Sequence, residues 1–264
     1  MGMYEGKAIP AGRRWTGSVP WAAVLMNVWV PVLMVVQTAI ALAISPLLLI
    51  LWLPATRWPV PKIMRHFIWM YGRVWLWIVS PFVRLKVTSA GRRSDRPCIY
   101  VANHLSFFDI FFLSAMPAFD VIVCLRSWPF KLACYAPFMR WAQYADVEAM
   151  PWDQIVETME RTFREGRSIL LFPQGHRSRD GRLGRFYSGA FKLAVQFQVP
   201  IAPICISGTD RMLPCGRLWM SPAAVRLECL EPIEPAAFRG ETGHIELRKH
   251  VKELMGACLA ANRS

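Results

Sequence analysis

Two short polar blocks interrupt an otherwise apolar chain of 264 residues. The first, Asn103-His104-Leu105-Ser106-Phe107-Phe108-Asp109, directly follows the strand-like run Cys98-Ile99-Tyr100-Val101-Ala102. The second, Phe172-Pro173-Gln174-Gly175-His176-Arg177-Ser178, directly follows Ile169-Leu170-Leu171. A carboxylate that accepts the proton of one imidazole nitrogen leaves the other free to take a substrate proton, and it stabilises the imidazolium that forms. His104 and Asp109 have the residue types for that work. A turn fixed by Pro173 and Gly175 suits a phosphate or a developing oxyanion, through its backbone N–H groups and the guanidinium of Arg177. No Gly-x-Ser-x-Gly elbow is present, so the attacking hydroxyl is expected to come from a substrate. Taken singly, each block has a plainer reading, a helix cap in one case and a solvated surface turn in the other. Two such blocks at the ends of strands point to an enzyme.

The spacing of His104 and Asp109 constrains where they sit. Five residues along a helix rotate by about 140°, so the pair cannot share one face of a regular helix. They meet if His104 lies on the turn before a helix and Asp109 in its first turn. Ser106 is then the expected N-cap and Asp109 the acidic arm of a Ser-x-x-Asp capping box.

The elements needed to hold the blocks are visible as changes of period. Strands are predicted over 82–88, 98–102, 121–125, 168–172, 201–206 and 224–230, and helices over 107–116, 154–165, 189–198 and 243–261. This alternation predicts an α/β fold with a mixed, largely parallel sheet covered by helices. The expected division is an N-terminal set of anchor and interfacial helices over 1–81 and an α/β domain over 82–264.

Composition sets the surroundings. The chain is 54% hydrophobic and only 19% charged, yet its net charge is +13 and it holds 12 Trp. An apolar, Trp-rich, basic chain fits work against an anionic membrane. Nucleic acid is not an expected partner, because no nucleic-acid-binding motif is present. Residues 15–56 carry no charged side chain, and basic residues flank the stretch: Lys7, Arg13 and Arg14 before it, Arg57, Lys62 and Arg65 after it. One span needs about 20 residues. With Pro31 and Pro46 dividing the stretch and both ends basic, a membrane-anchoring helical hairpin dipping into one leaflet is expected. A cleaved signal peptide ending at Ala41-Leu42-Ala43 is disfavoured, since the apolar run continues well beyond it. Residues 66–83 read as an interfacial helix. The seven Cys are odd in number and include no C-x-x-C pair, so reduced, buried thiols are expected. No metal site is expected, because the five His lack ligand-like spacing.

At these blocks the sequence resembles the glycerolipid acyltransferase family, which includes 1-acylglycerol-3-phosphate acyltransferases. Asn103, His104 and Asp109 match its Asn-His-x-x-x-x-Asp motif, and Phe172, Pro173, Gly175, Arg177 and Ser178 match its Phe-Pro-Glu-Gly-Thr-Arg-Ser motif. Phe186-x-x-Gly189-Ala190 and Val199-Pro200-Ile201-Ala202-Pro203-Ile204 are similar to two further elements, and the resemblance extends over roughly 82–235. Gln174 stands where the family usually has Glu, and His176 where Thr is common. The second motif keeps Lys131 and Pro137, but Arg140 replaces its Gly. Asp146-Val147-Glu148 occupies the region of a later Arg associated with acceptor phosphate.

The resemblance implies a membrane-associated O-acyltransferase that needs no cofactor beyond acyl-CoA or acyl carrier protein as co-substrate. It implies that His104 deprotonates an acceptor hydroxyl and that Asp109 orients His104. Asn103, Lys131, Pro173, Gln174, Gly175, His176, Arg177 and Ser178 are the implied substrate-binding residues. The default acceptor is 1-acylglycerol 3-phosphate, at the inner (cytoplasmic) membrane with the catalytic domain facing the cytoplasm. Other readings remain open at this point: a non-phosphate lyso-lipid such as a lyso-amino-acid lipid, transfer to an amine, hydrolysis by the same pair, or a catalytically silent lipid-binding protein.

Overall fold

The long uncharged stretch folds as one continuous helix. The computed structural model describes residues 21–89 and 96–262, so the basic flank of Lys7, Arg13 and Arg14 lies outside the described residues. Helix α1, Trp21–Thr56, runs through Pro31, Pro46 and Pro54. The expected break at Pro31 and Pro46 is therefore corrected. Each proline forfeits one backbone hydrogen bond, and lateral contacts with a neighbouring helix hold α1 together. That neighbour is α2, Val60–Val79, which begins with a proline in its first turn. Trp29 Nε1 donates to the Ile78 carbonyl at 3.0 Å, Gln37 Nε2 donates to the Tyr71 carbonyl at 2.6 Å, and Trp52 meets Phe67 edge-on. These pairings make α1 and α2 antiparallel. A hairpin forms, not within 15–56 as expected, but between α1 and α2, with its turn at 57–59, where Arg57 takes a positive φ.

The α/β body carries a seven-stranded sheet in the order β1-β7-β6-β2-β5-β3-β4. In chain order the elements are β1 (Val83–Ser89), β2 (Ile99–Ala102), α3 (Asp109–Phe112), β3 (Val121–Leu125), α4 (Ala136–Trp141), β4 (Ala145–Asp146), α5 (Trp152–Arg164), β5 (Ser168–Leu171), α6 (Gly189–Phe197), β6 (Ile201–Ser207), α7 (Thr209–Met212), β7 (Ala223–Cys229) and α8 (Gly243–Ala261). All neighbours pair in parallel except β6 with β7. The six predicted strands and four predicted helices are present, with shifts of one or two residues at most ends. The segment over 107–116 divides into α3 and a 3-10 turn at Leu113–Ala115.

Strand β2 shows how the core is divided. Ile99 and Val101 point to one face, among Phe191, Ala194, Val251 and Met255 of α6 and α8. Tyr100 and Ala102 point to the other, among Trp75, Val79 and Phe112 of α2 and α3, with Met26 and Val30 of α1. The period-two alternation of a strand thus separates two apolar layers. At the far end of the hairpin, Leu49 and Trp52 of α1 join Ile63 and Met64 of α2 around Ala142, just after α4. Helix α1 thus packs along α2 and meets the body near its two ends, while Val28, Val35, Leu47 and Ile50 of α1 are exposed.

Because β6, β2 and β5 are adjacent and parallel, their C-terminal ends meet at one edge of the sheet. Strands β5, β3 and β4 lie on one side of β2, and β6, β7 and β1 on the other. A crevice at such a reversal, beyond the carboxyl ends of the strands, is where open α/β sheets place ligands.

Candidate active site

Both polar blocks emerge at that edge. Asn103 and His104 follow β2, and the Phe172–Ser178 block follows β5. His104 Nδ1 lies 2.7 Å from Asp109 Oδ2, with the carboxylate fully buried and the imidazole 21% exposed. The same Oδ2 accepts the backbone N–H groups of Leu105 at 2.6 Å and Ser106 at 2.8 Å. Oδ1 accepts the Thr209 hydroxyl at 2.6 Å. A buried carboxylate with four hydrogen-bonding partners is held in one orientation. It fixes the imidazole with Nδ1–H toward Asp109, so Nε2 is the free proton acceptor. The His104 ring also stacks on Phe172, 4.2 Å between centroids.

The capping-box expectation is half correct. Asp109 reaches back to the Ser106 N–H, as its acidic arm should. Ser106 Oγ, however, donates to the Leu213 carbonyl at 2.9 Å rather than capping the helix. The helix proper starts at Asp109 with Phe108 before it. The serine is instead engaged by the Leu213 carbonyl, immediately after α7.

The other predicted residues separate into scaffold and lining. Asn103 is fully buried, and its amide makes two bonds to one backbone position: Nδ2 donates to the Ile206 carbonyl at 2.8 Å and Oδ1 accepts the Ile206 N–H at 2.7 Å. It staples β6 to the end of β2, which corrects its assignment as a substrate contact. Gln174, also buried, accepts the His104 backbone N–H on Oε1 at 3.1 Å. Ser178 donates its N–H to the His104 carbonyl at 2.8 Å and its hydroxyl to Asp180. His104 is thus gripped through both its backbone groups by the second block. Lys131 ends the 3-10 turn Trp128–Lys131, exposed, and is not part of the cavity wall described next.

Pro173, Gly175, His176 and Arg177 line a cavity of about 1640 Å3 that also contains His104. Gly175 adopts φ 69°, and a side chain there would meet the Tyr187 ring at 3.0 Å. The cavity runs beneath α1 and α2, where its wall is apolar and includes Leu33, Ile44, Val74, Phe111 and Val123. Its charged groups are at the His104 end: Arg126, Arg177, Arg179 and Glu148. Arg126 and Glu148 pair at 2.6 Å. The Arg126 hydrogen bond, followed by the Ser127 N–H, holds the Glu148 carboxyl below its usual range. Cys124 lines the wall too, but burial pushes its thiol up to about 12, so it stays protonated and non-nucleophilic. The arrangement combines a proton acceptor, polar groups for a head group, and an apolar enclosure suited to an alkyl chain.

Two residues of this centre are absent from the sequence-based set, Thr209 and the stacking Phe172. The usable signal for Thr209 is topological: it follows a strand parallel and adjacent to β2, so its turn must emerge at the same edge.

Comparison with known proteins agrees with this geometry. Residues 84–207 match the family model described as Acyltransferase. The chain is 32% identical over 164 residues to a chloroplastic 1-acyl-sn-glycerol-3-phosphate acyltransferase of Brassica napus, covering 57% of this chain and 44% of that one. It is 27% identical to a 1-acyl-sn-glycerol-3-phosphate acyltransferase of Pseudomonas aeruginosa, over 52% of this chain and 54% of that one. The chain thus spans about half the length of these relatives. The crystal structure of the 1-acyl-sn-glycerophosphate acyltransferase from Thermotoga maritima shares the fold, with TM-score 0.68 and 24% identity over 88% of this chain and 94% of that one.

Proposed function

We propose that the chain is a member of the glycerolipid acyltransferase family and that it moves a fatty acyl group from a thioester donor to the hydroxyl of a lyso-lipid, by default 1-acylglycerol 3-phosphate. The observation that carries this reading is the 2.7 Å contact of His104 with a buried, four-donor Asp109 at the head of an apolar cavity. His104 Nε2 takes the acceptor proton as the oxygen attacks the thioester carbonyl. The tetrahedral oxyanion collapses, the carbon–sulfur bond breaks, and the proton passes from His104 to the departing thiolate. Asp109 stabilises the imidazolium between these events. The substrate supplies the nucleophile, so no covalent enzyme intermediate forms. The donor is acyl-CoA or acyl carrier protein, with no further cofactor.

The geometry of the hairpin supports association in the plane of a membrane. A helix of 36 residues is about 54 Å long, well beyond the roughly 30 Å of a bilayer core. Since α1 packs antiparallel along α2, its exposed apolar face is suited to lying within one leaflet. The acyl cavity then opens beside the lipid that supplies its substrates. By this reading the body sits on the cytoplasmic side of the inner membrane.

Glu148 favours a second acceptor class. An acidic side chain on the wall of the charged end offsets Arg126 and disfavours a dianionic phosphomonoester relative to a head group bearing an amine. A lyso-lipid panel with a radiolabelled thioester tests both readings. Transfer to 1-acylglycerol 3-phosphate supports the default, transfer confined to amine-bearing lyso-lipids supports the second, and acyl release without an acceptor overturns acyl transfer.

A further inference from the structure

The segment from the end of β6 through α7 to Leu213 lies outside the two polar blocks, yet it is tied to the His104–Asp109 block at three points. Ile206 is clamped by Asn103, Thr209 Oγ1 donates to Asp109 Oδ1 at 2.6 Å, and the Leu213 carbonyl accepts from Ser106 Oγ. The turn between these points is rigid. Gly208 has φ 89°, and a Cβ on it would stand 2.0 Å from the Ala224 carbonyl oxygen, so Thr209 is delivered to one place. Thr209 itself is fully buried.

The two oxygens of Asp109 are unequally held. Oδ2 has three donors, all from the His104–Ser106 segment. Oδ1 has Thr209, from an element separated by 100 positions in sequence. Without that hydroxyl, Oδ1 is a fully buried carboxylate oxygen with no hydrogen-bond donor among the described residues. The carboxylate then gains by rotating to share its Oδ2 donors between both oxygens, at the expense of the alignment with His104.

We propose that Thr209 is a positioning residue for acyl transfer, fixing the Asp109 carboxylate so that Oδ2 faces His104 Nδ1. The inference rests on the reading of His104 as the general base. Thr209 touches no substrate, so its contribution falls on the chemical step and not on binding.

The test is steady-state kinetics of the full chain carrying Thr209→Val, which keeps the shape and removes the hydroxyl, and Thr209→Ser, which keeps the hydroxyl. Thr209→Val is expected to lower kcat about 10- to 100-fold while KM for donor and acceptor stays within about two-fold. Thr209→Ser is expected to restore kcat to within about five-fold of the parent. On a His104→Ala background Thr209→Val should cause no further loss, because both changes act through one group. A Thr209→Val protein with parental kcat and only a lowered melting temperature would overturn the proposal and leave Thr209 a packing residue. A Thr209→Ser protein as impaired as Thr209→Val would overturn it too. If His104→Ala itself retained the parental rate, the general-base reading would fail instead, so the two failures are separable.

Discussion

Gln174 holds the backbone of His104, the proposed general base, and that role suits an amide at the position where the resembled motif has Glu. Its Oε1 accepts the His104 N–H at 3.1 Å, a task that any sp2 oxygen at that point performs. The position is 1% exposed, so a neutral amide avoids the cost of burying a charge. Removing the side chain leaves the N–H of a half-buried residue without an acceptor. Gln174→Ala is therefore expected to destabilise the fold by about 1–3 kcal/mol and to lower acyl transfer, read by denaturant unfolding and initial rates in parallel. Unchanged stability would show that the amide is dispensable to the loop. The motif match alone pointed to Gln174 and Asn103 as substrate contacts. In the structure both are buried and satisfy backbone groups at strand ends, which a linear motif does not reveal.

At the scale of elements, the centre is assembled by turns after three parallel strands, and the least forgiving of these is the β6–α7 turn. A side chain at position 208 meets the Ala224 carbonyl at 2.0 Å and is also strained by the positive φ. Gly208→Ala is expected to destabilise by about 3 kcal/mol or more, combining backbone strain with a clash that only a shift of β7 relieves. Thermal unfolding measures this, and a change below about 1 kcal/mol would mean the turn yields freely. How much of this was legible in sequence follows the length of the element. The six main strands and the helix over 243–261 are long enough for periodicity to mark them. The two-residue β4 and the single-turn α7 are not, and their existence depends on tertiary contacts. The helix α1 was legible as a long apolar segment, but its continuity through Pro31 and Pro46 was not, because α2 supplies the lateral support. His104 and Asp109 were legible since their meeting is local, whereas Thr209 reaches Asp109 only through the strand order.

At the scale of the whole molecule, an apolar hairpin lies along a sheet whose edge carries the chemistry, and one cavity joins the two. Thiols buried in that body report its integrity. Burial pushes Cys124 up to about 12, and burial followed by Glu228 pushes Cys229 up to about 11. The unfolded chain releases those protons first, near pH 8.5, while the folded chain keeps them. Stability is therefore complete below about pH 8.5 and declines as pH rises toward 11–12. The urea midpoint of the purified protein should be lower at about pH 10.5 than at about pH 8, and replacing Cys124 and Cys229 by Ala should reduce that difference. An equal drop in the doubly substituted protein would assign it to other groups. The central claim concerns His104, and it is tested most directly by the initial rate of acyl transfer from a radiolabelled thioester to a lyso-lipid acceptor, in the parent and in His104→Ala. The account predicts a loss of about a hundred- to ten-thousand-fold with the fold intact; transfer by His104→Ala at the parental rate would contradict it.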